Sequence, residues 1–175
     1  PHAATRPAVQ TDARLGECRY GDWTGRALKD LTRDPLWRVV QAHPSAVTFP
    51  GVDGEPMSAM AARAVLAVRE HDAAVAAAHG DDAVWAAVSH GDVIKAVLAD
   101  ALGMHLDSFQ RIMVDTTSVS AIRYTPLRPF VVRMNDGSGD LSALVPPRRR
   151  RRRARSRAAS SDAVVGGETG AGPNE

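Results

Sequence analysis

The apolar positions of this chain form two helical patterns and one short continuous run. The longer helical pattern repeats every three or four residues and ends at Gly80, which predicts a long helix with one buried face. The continuous run at 83–89 is typical of a buried strand, and a second helical pattern covers 92–102. The apolar face of the long helix consists of Met57, Met60, Ala61, Ala64, Val65, Val68 and Val75.

The rest of the chain predicts shorter elements around these. Asp34 and Pro35 have the residue types of a helix N-cap and first helical position. Glycine and proline between the patterns predict turns, so the elements are short. In chain order they are an extended segment at 15–20, a helix at 26–33, the helix from 34, a loop at 49–56, one turn at 106–110 and strands at 119–124 and 130–134, which favour a hairpin at the sheet edge.

Length and composition limit the class of protein. The chain has 175 residues, enough for one domain, and 44% hydrophobic with 24% charged residues predicts a soluble globular protein. The single cysteine excludes an intramolecular disulfide framework and favours a reducing compartment. Neither a membrane-spanning run nor a signal peptide is evident, so we expect a cytoplasmic protein without membrane contact.

The net charge of +2 hides an uneven distribution. Residues 148–157 contain eight arginines, and the chain before them carries 14 lysines and arginines against 17 acidic residues. The basic character therefore belongs to a tail, which we expect to be disordered over 146–175. This tail is either a silent, solvated extension or a source of weak, nonspecific contacts with anionic partners.

The sequence Ser89-His90-Gly91-Asp92 is a candidate anion site. It lies between the predicted strand and the second predicted helix, where free backbone amides and the helix dipole favour negative charge. His90 adds a titratable donor at the edge where α/β sheets bind ligands. The alternative is that His90 only caps the helix or packs in a loop.

Glu17 is a second candidate because it stands just before a glycine-rich turn at 21–25. A carboxyl group held partly desolvated beside a phosphate site has a raised pKa and can protonate a leaving oxygen. Taken alone, Glu17 is better explained as a surface glutamate.

Together these segments resemble the histidine phosphatase superfamily, the phosphoglycerate mutase-like phosphatases and mutases. Residues 15–25 read Leu-x-Glu-x-x-x-Gly-Asp-Trp-x-Gly, and the loop from Phe49 to Glu55 and the closing strands are also similar. The resemblance covers residues 14–136 and implies a three-layer α/β/α fold. It also implies that Glu17 donates a proton to the leaving group, that His90 donates to phosphoryl oxygens, and that Gly91 lets the backbone approach the phosphate, with neither metal nor cofactor.

One part of the family pattern is missing. The chain contains no Arg-His-Gly triplet, the motif that carries the family's nucleophilic histidine, and His2 and Arg6 do not match it. We therefore expect residues 1–145 to be the C-terminal two-thirds of the domain, without its N-terminal strand–helix units of roughly 60 residues or more, counted at about 30 per unit. Three explanations remain open. The chain is a fragment of a normal enzyme or has a misassigned start, or it is a degenerate or partner-dependent member of the family, or the resemblance is misleading.

The resemblance implies hydrolysis of small phosphomonoesters through a phosphohistidine in the intact parent, with this chain inactive alone. Mutase-type phosphotransfer is one alternative, and a non-catalytic anion-binding protein tethered by its basic tail is another.

Arg19 and Arg26 flank the Glu17 segment, but a solvated face explains them better than substrate contact. Cys18 is expected to pack rather than react. The histidine spacing does not predict a metal site, and the sequence says nothing about oligomeric state.

Overall fold

The computed structural model describes residues 9–139, so the predicted arginine-rich tail at 146–175 lies outside the described residues. The helices are α1 (Leu28–Leu31), α2 (Pro35–Ala42), α3 (Met57–His79) and α4 (Gly91–Ala101), and the strands are β1 (Val119–Tyr124) and β2 (Pro129–Asp136). Short 3-10 turns lie at Ala13–Leu15, Gly21–Trp23, Pro44–Ala46 and Leu106–Arg111. Among the described residues, no helix is long and apolar enough to cross a membrane.

Helix α3 is the long helix that the apolar pattern predicts. It begins at Met57 and ends where Gly80 takes a φ of 95°, a backbone conformation that favours glycine. Met57, Met60 and Ala64 are buried on its inner face, as expected. Helix α4 packs against this face, so the two helices together define the main core.

The core continues from α4 toward the chain's aromatic residues. Phe109, which follows α4 in the 3-10 turn, is fully buried. At the other end, Trp23 stacks on Trp37 with ring centroids 6.2 Å apart and meets the edge of Phe49 at 5.5 Å. These ring contacts join the glycine-rich turn, α2 and the 49–56 loop into one packed unit.

The two predicted strands form the expected hairpin. Strand β1 pairs with β2 in antiparallel register, with Ile122 opposite Val131 and Tyr124 opposite Pro129. Strand β2 also packs against α4. Asp34 caps α2 by accepting a hydrogen bond from the Leu36 amide, which confirms that prediction as well.

The prediction of a buried strand at 83–89 is wrong for the described residues. This segment is extended but has no strand beside it, and Val84 and Val88 are 66% and 95% exposed. The sheet described is the β1–β2 hairpin alone, so no strand within residues 9–139 pairs with the apolar run. Side chains fix the segment instead: the Trp85 indole N–H donates to Asp72 on α3, at 3.1 Å, and Ser89 bonds near the Glu17 loop.

Candidate active site

Two hydrogen bonds bring the Glu17 segment to the start of α4. The Ser89 hydroxyl donates to the Leu15 carbonyl at 2.7 Å. Beyond Glu17, the Tyr20 hydroxyl donates to Asp92 Oδ2 at 2.9 Å. Because these bonds stand on either side of Glu17 and on either side of His90 in sequence, they hold the two predicted site segments together.

The Glu17 carboxyl lies in a partly desolvated position. Its Oε1 accepts a hydrogen bond of 2.9 Å from the Cys18 amide. Burial raises the pKa of Glu17 above its ordinary value, and the nearby carboxylate of Asp92 raises it further, whereas the Cys18 amide and the charges of His90 and Arg63 oppose the rise. A carboxyl with a raised pKa retains its proton to higher pH, which suits a proton donor.

His90 is the N-cap residue of α4, and its side chain is exposed. The imidazole does not cap the helix, and it has no hydrogen-bond partner among the described residues. The amides of the first turn of α4 likewise lack a side-chain cap, so they remain available as donors. His90 and the helix start therefore present unused donors, and His90 is near enough to Glu17 to influence its pKa.

Gly91 is open on the side where a Cβ atom would project. No heavy atom lies within 4 Å of that position, and its φ is not in the left-handed region. Packing within the described chain therefore does not require glycine here. The space beside the Gly91 backbone is therefore open.

Arg63 on α3 fixes the backbone of the Glu17 segment. Its Nη1 donates to the carbonyls of Arg14 at 2.5 Å and Gly16 at 2.9 Å, and its Nη2 donates to the Glu17 carbonyl at 3.0 Å. The guanidinium also forms a bidentate ion pair with Glu55, at 2.6 and 3.2 Å. One side chain thus links α3, the 49–56 loop and the segment that carries Glu17.

Glu55 is a buried charged residue with a complete set of partners. It is 2% exposed and accepts hydrogen bonds from the Arg63 guanidinium and, at 2.9 Å, from the Arg19 amide. Burial alone raises the pKa of this carboxyl, but the bonds from Arg63 and the Arg19 amide outweigh that effect and lower it. Glu55 is therefore a carboxylate in the folded chain at neutral pH.

The glycine-rich turn is explained by backbone packing. A Cβ atom on Gly21 would stand 1.9 Å from the Pro50 carbonyl oxygen, and one on Gly54 would stand 2.1 Å from the Phe49 oxygen. The Asp22 amide donates to Pro50 at 2.8 Å across the same contact. Glycine at position 21 lets the turn after Glu17 lie directly on the 49–56 loop, and glycine at position 54 lets that loop fold back on itself.

The remaining side chains of the segment have other roles. Cys18 is buried, and burial, together with the surrounding carboxylates, raises the pKa of its thiol to about 12, so it is a packing residue. Arg19 is exposed and pairs with Glu55 at 3.3 Å, and Arg26 pairs with Asp34 at 3.9 Å. Within residues 9–139, no group of three or more His, Cys, Asp or Glu side chains is arranged to hold a metal ion.

Comparison with known families decides the class of this fold. The model of the histidine phosphatase superfamily, branch 1, matches residues 2–137. The chain belongs to the histidine phosphatase superfamily. The α/β fold class that the motifs implied is confirmed, although within residues 9–139 the sheet is limited to the β1–β2 hairpin.

Solved structures of histidine phosphatase type share this fold. YhfR from Bacillus stearothermophilus is 26% identical, with a TM-score of 0.61 and 73% of the chain covered. A mycobacterial glucosyl-3-phosphoglycerate phosphatase in complex with VO3 is 24% identical (TM-score 0.59, 74% covered), and an alpha-ribazole phosphatase from Shigella flexneri is 22% identical (TM-score 0.55, 77% covered). The chain spans 61%, 65% and 64% of the lengths of these structures. No curated protein sequence matches the chain.

Sequence reasoning missed the residues that hold the histidine phosphatase segments together. Arg63 interrupts an otherwise apolar stretch of α3 between Met60 and Ala64, and a charge at such a position is the one signal that was available. Tyr20 and Ser89 carry no comparable signal, because their partners lie more than 70 residues away.

Proposed function

We propose that this chain carries the proton-donor and phosphate-binding half of a metal-independent phosphomonoesterase site. The observation that supports this most strongly is the joining of the Glu17 segment to the start of α4 through Ser89 and Tyr20. The two segments so joined carry the Glu17 carboxyl, whose pKa is raised, and the His90 imidazole, which makes no hydrogen bond among the described residues and precedes an uncapped helix start. That combination suits a phosphate ester whose leaving oxygen needs a proton.

His90 and the backbone at Gly91 bind the phosphoryl oxygens in this proposal. A dianionic phosphate gains from the helix dipole of α4, from its first amides and from the imidazole donor. The same donors stabilise the charge that spreads over the oxygens during transfer. Gly91 leaves room for the phosphate to reach the backbone.

Glu17 protonates the leaving oxygen as the P–O ester bond breaks. In the family reaction the phosphoryl group moves to a histidine nitrogen, and the alcohol departs with the Glu17 proton. Water then attacks phosphorus and the P–N bond breaks. The Glu17 carboxylate takes up the proton released by the water and is ready for the next cycle.

The sequence holds no Arg-His-Gly triplet, the motif that carries the nucleophilic histidine in the family. We therefore assign the nucleophile to polypeptide outside these 175 residues, and we expect the chain alone not to hydrolyse aryl phosphates. The substrate class is a small phosphomonoester. Two of the similar solved proteins are named phosphatases. We therefore propose phosphatase activity for the parent rather than mutase activity.

The test starts from the DNA upstream of the Pro1 codon. Translation in frame is expected to show a strand ending in Arg-His-Gly, and the extended polypeptide is expected to release phosphate from aryl and alkyl esters. Glu17→Gln in that polypeptide is expected to slow alkyl esters, which leave poorly, more than nitrophenyl esters. Glu70→Gln, the same change on the exposed face of α3, is the matched control.

Several results would contradict the proposal. An in-frame stop or unrelated sequence upstream would remove the nucleophile and favour a non-catalytic anion-binding protein. Equal losses for good and poor leaving groups in Glu17→Gln would exclude the acid role. Transfer of phosphate to an added alcohol, with little released to water, would identify a mutase. Turnover by the present chain, abolished by His90→Ala, would show that it needs no external nucleophile.

A further inference from the structure

Arg63 on α3 contacts both the Glu17 segment and Glu55, although the proposed reaction gives it no role. Its guanidinium donates to the backbone carbonyls of Arg14, Gly16 and Glu17. These three hydrogen bonds fix the backbone up to and including the proposed acid. The side chain is 21% exposed, whereas Arg69, six residues further along α3, is 52% exposed and pairs with Asp100 among the described residues. Arg63 is thus enclosed by the segment it binds.

Glu55 explains why the guanidinium keeps one orientation. A planar guanidinium paired at two points with a carboxylate cannot rotate without losing both bonds. Glu55 is 2% exposed and is itself fixed by the Arg19 amide, which belongs to the same segment as Glu17. The segment from Arg14 to Arg19 is therefore fastened to one buried ion pair at both of its ends.

We infer that Arg63 is a positioning residue, and that with Glu55 it holds the Glu17 carboxyl at its half-buried place. Arg63 donates to backbone carbonyl oxygens of this segment, so it is not hydrogen-bonded to the Glu17 carboxyl itself. It fixes where the carboxyl stands and how much water reaches it. The importance of this for catalysis rests on the proposed function, but the placement itself does not.

The groups facing the Glu17 carboxyl make its titration a sensitive readout of its place. Burial is the largest influence on its pKa, followed by the Cys18 amide, Asp92 and His90, and attraction to Arg63 is the smallest. If the Arg63 guanidinium is removed and the segment loosens, water reaches the Glu17 carboxyl and lowers its pKa. Loss of the attraction to Arg63 raises that pKa by a smaller amount. The pKa of Glu17 is then expected to fall toward its ordinary value.

The experiment is a carboxyl NMR titration of the present chain with 13C-labelled glutamate. The chain has five glutamates, so the Glu17 signal is identified by its loss in Glu17→Gln. The variants are Arg63→Met, Glu55→Gln and, as the matched control on the same helix, Arg69→Met. We expect a lower Glu17 midpoint in the first two and no change in the control.

The outcomes separate a positioning role from general stability. A Glu17 midpoint that is unchanged or higher in folded Arg63→Met, even with reduced thermal stability, would overturn the inference. If Arg63→Met does not fold, Arg63→Lys carries the test, because one ammonium cannot span the three carbonyls and Glu55. A midpoint equal to that of the unmodified chain in Arg63→Lys would likewise overturn it. Because no turnover is measured, the inference and the proposed phosphatase activity can fail independently.

Discussion

The Ser89 hydroxyl donates a 2.7 Å hydrogen bond to the Leu15 carbonyl across 74 positions of the sequence. Ser89 directly precedes His90, and Leu15 lies two residues before Glu17. The neighbouring carbonyls at 14, 16 and 17 all accept hydrogen bonds from Arg63, whereas the Leu15 carbonyl accepts one from Ser89 instead. A single hydroxyl therefore links the two parts of the candidate site.

Loss of this link is expected to be measurable. Ser89→Ala removes the donor and is expected to lower the free energy of unfolding by about 1 kcal/mol. Urea denaturation checks this. Ser118→Ala is the matched control, because the Ser118 hydroxyl bonds only to the nearby Asp115 carbonyl on the exposed surface. Equal stability of the two variants would show that the link contributes nothing.

Two tyrosines offer an internal comparison. The Tyr20 hydroxyl bonds to the Asp92 carboxylate, whereas the Tyr124 hydroxyl is buried without a partner in the part of the chain described. Tyr20→Phe is expected to cost about 1.5 kcal/mol, since its acceptor is charged, and Tyr124→Phe is expected to be neutral or stabilising. Thermal unfolding of both variants checks this. The reverse order would contradict the contact between the turn and α4.

Glu17 is expected to give the chain a pH-dependent stability. Its folded pKa is raised by burial above the ordinary 4.5, so the folded state holds the proton more tightly than the unfolded state. The stabilisation is complete below about pH 4.5 and is lost as pH rises through the folded value. Glu17→Gln removes this loss and is expected to have a higher Tm than the unmodified chain at pH 7.

The comparison at low pH completes that test. At pH 4 the unmodified chain keeps most of the proton on Glu17, so the advantage of Glu17→Gln is expected to shrink. Glu70→Gln, which removes an exposed ion pair with Arg14, is expected to be no more stable than the unmodified chain at either pH. A Glu17→Gln variant less stable than the unmodified chain at pH 7 would show that the carboxylate is favourably placed rather than desolvated.

The segment at 83–89, which has no neighbouring strand among the described residues, is expected to show fast amide hydrogen exchange and to promote association between chains. Its backbone has no ladder partner within residues 9–139, and Val88 is 95% exposed. Amides there are expected to exchange much faster than those of Ala64 and Ala67 in α3. Val88→Lys is expected to reduce concentration-dependent association in light scattering without lowering Tm. Slow exchange at 84–88 in a monomer would show that the segment is covered.

The elements that the sequence predicted well are those whose signal is local. Gly80 and Asp34 mark the ends of their helices by backbone preference and capping, and both predictions are confirmed. The hairpin also follows from local alternation and the turn between its strands. In each case the deciding interactions lie within a few residues.

The strand prediction failed because its outcome depends on distant partners. The apolar run at 83–88 carries the signal of a buried strand, but a strand needs a neighbour to bond its amides and carbonyls. The described residues supply none. The signal in the sequence and the environment in the structure therefore disagree at this one segment.

The candidate site shows the same division. Glu17 and His90 were predicted from motifs, and the structure brings their segments together through Ser89 and Tyr20. The supports at Glu55 and Arg63 could not be read from spacing, because an ion pair buried between a loop and a helix has no periodic pattern. The roles of Glu17, His90 and Gly91 in catalysis stay predictions.

The proposed site requires Glu17 and His90 to bind the same phosphate. This is tested by NMR titration of the chain with inorganic phosphate, following the Glu17 carboxyl and the His90 imidazole in the same spectra. We expect both signals to shift with one common dissociation constant and Gly91→Ala to weaken phosphate binding at both. Shifts with different constants, or shifts at His90 with Glu17 unaffected, would contradict it.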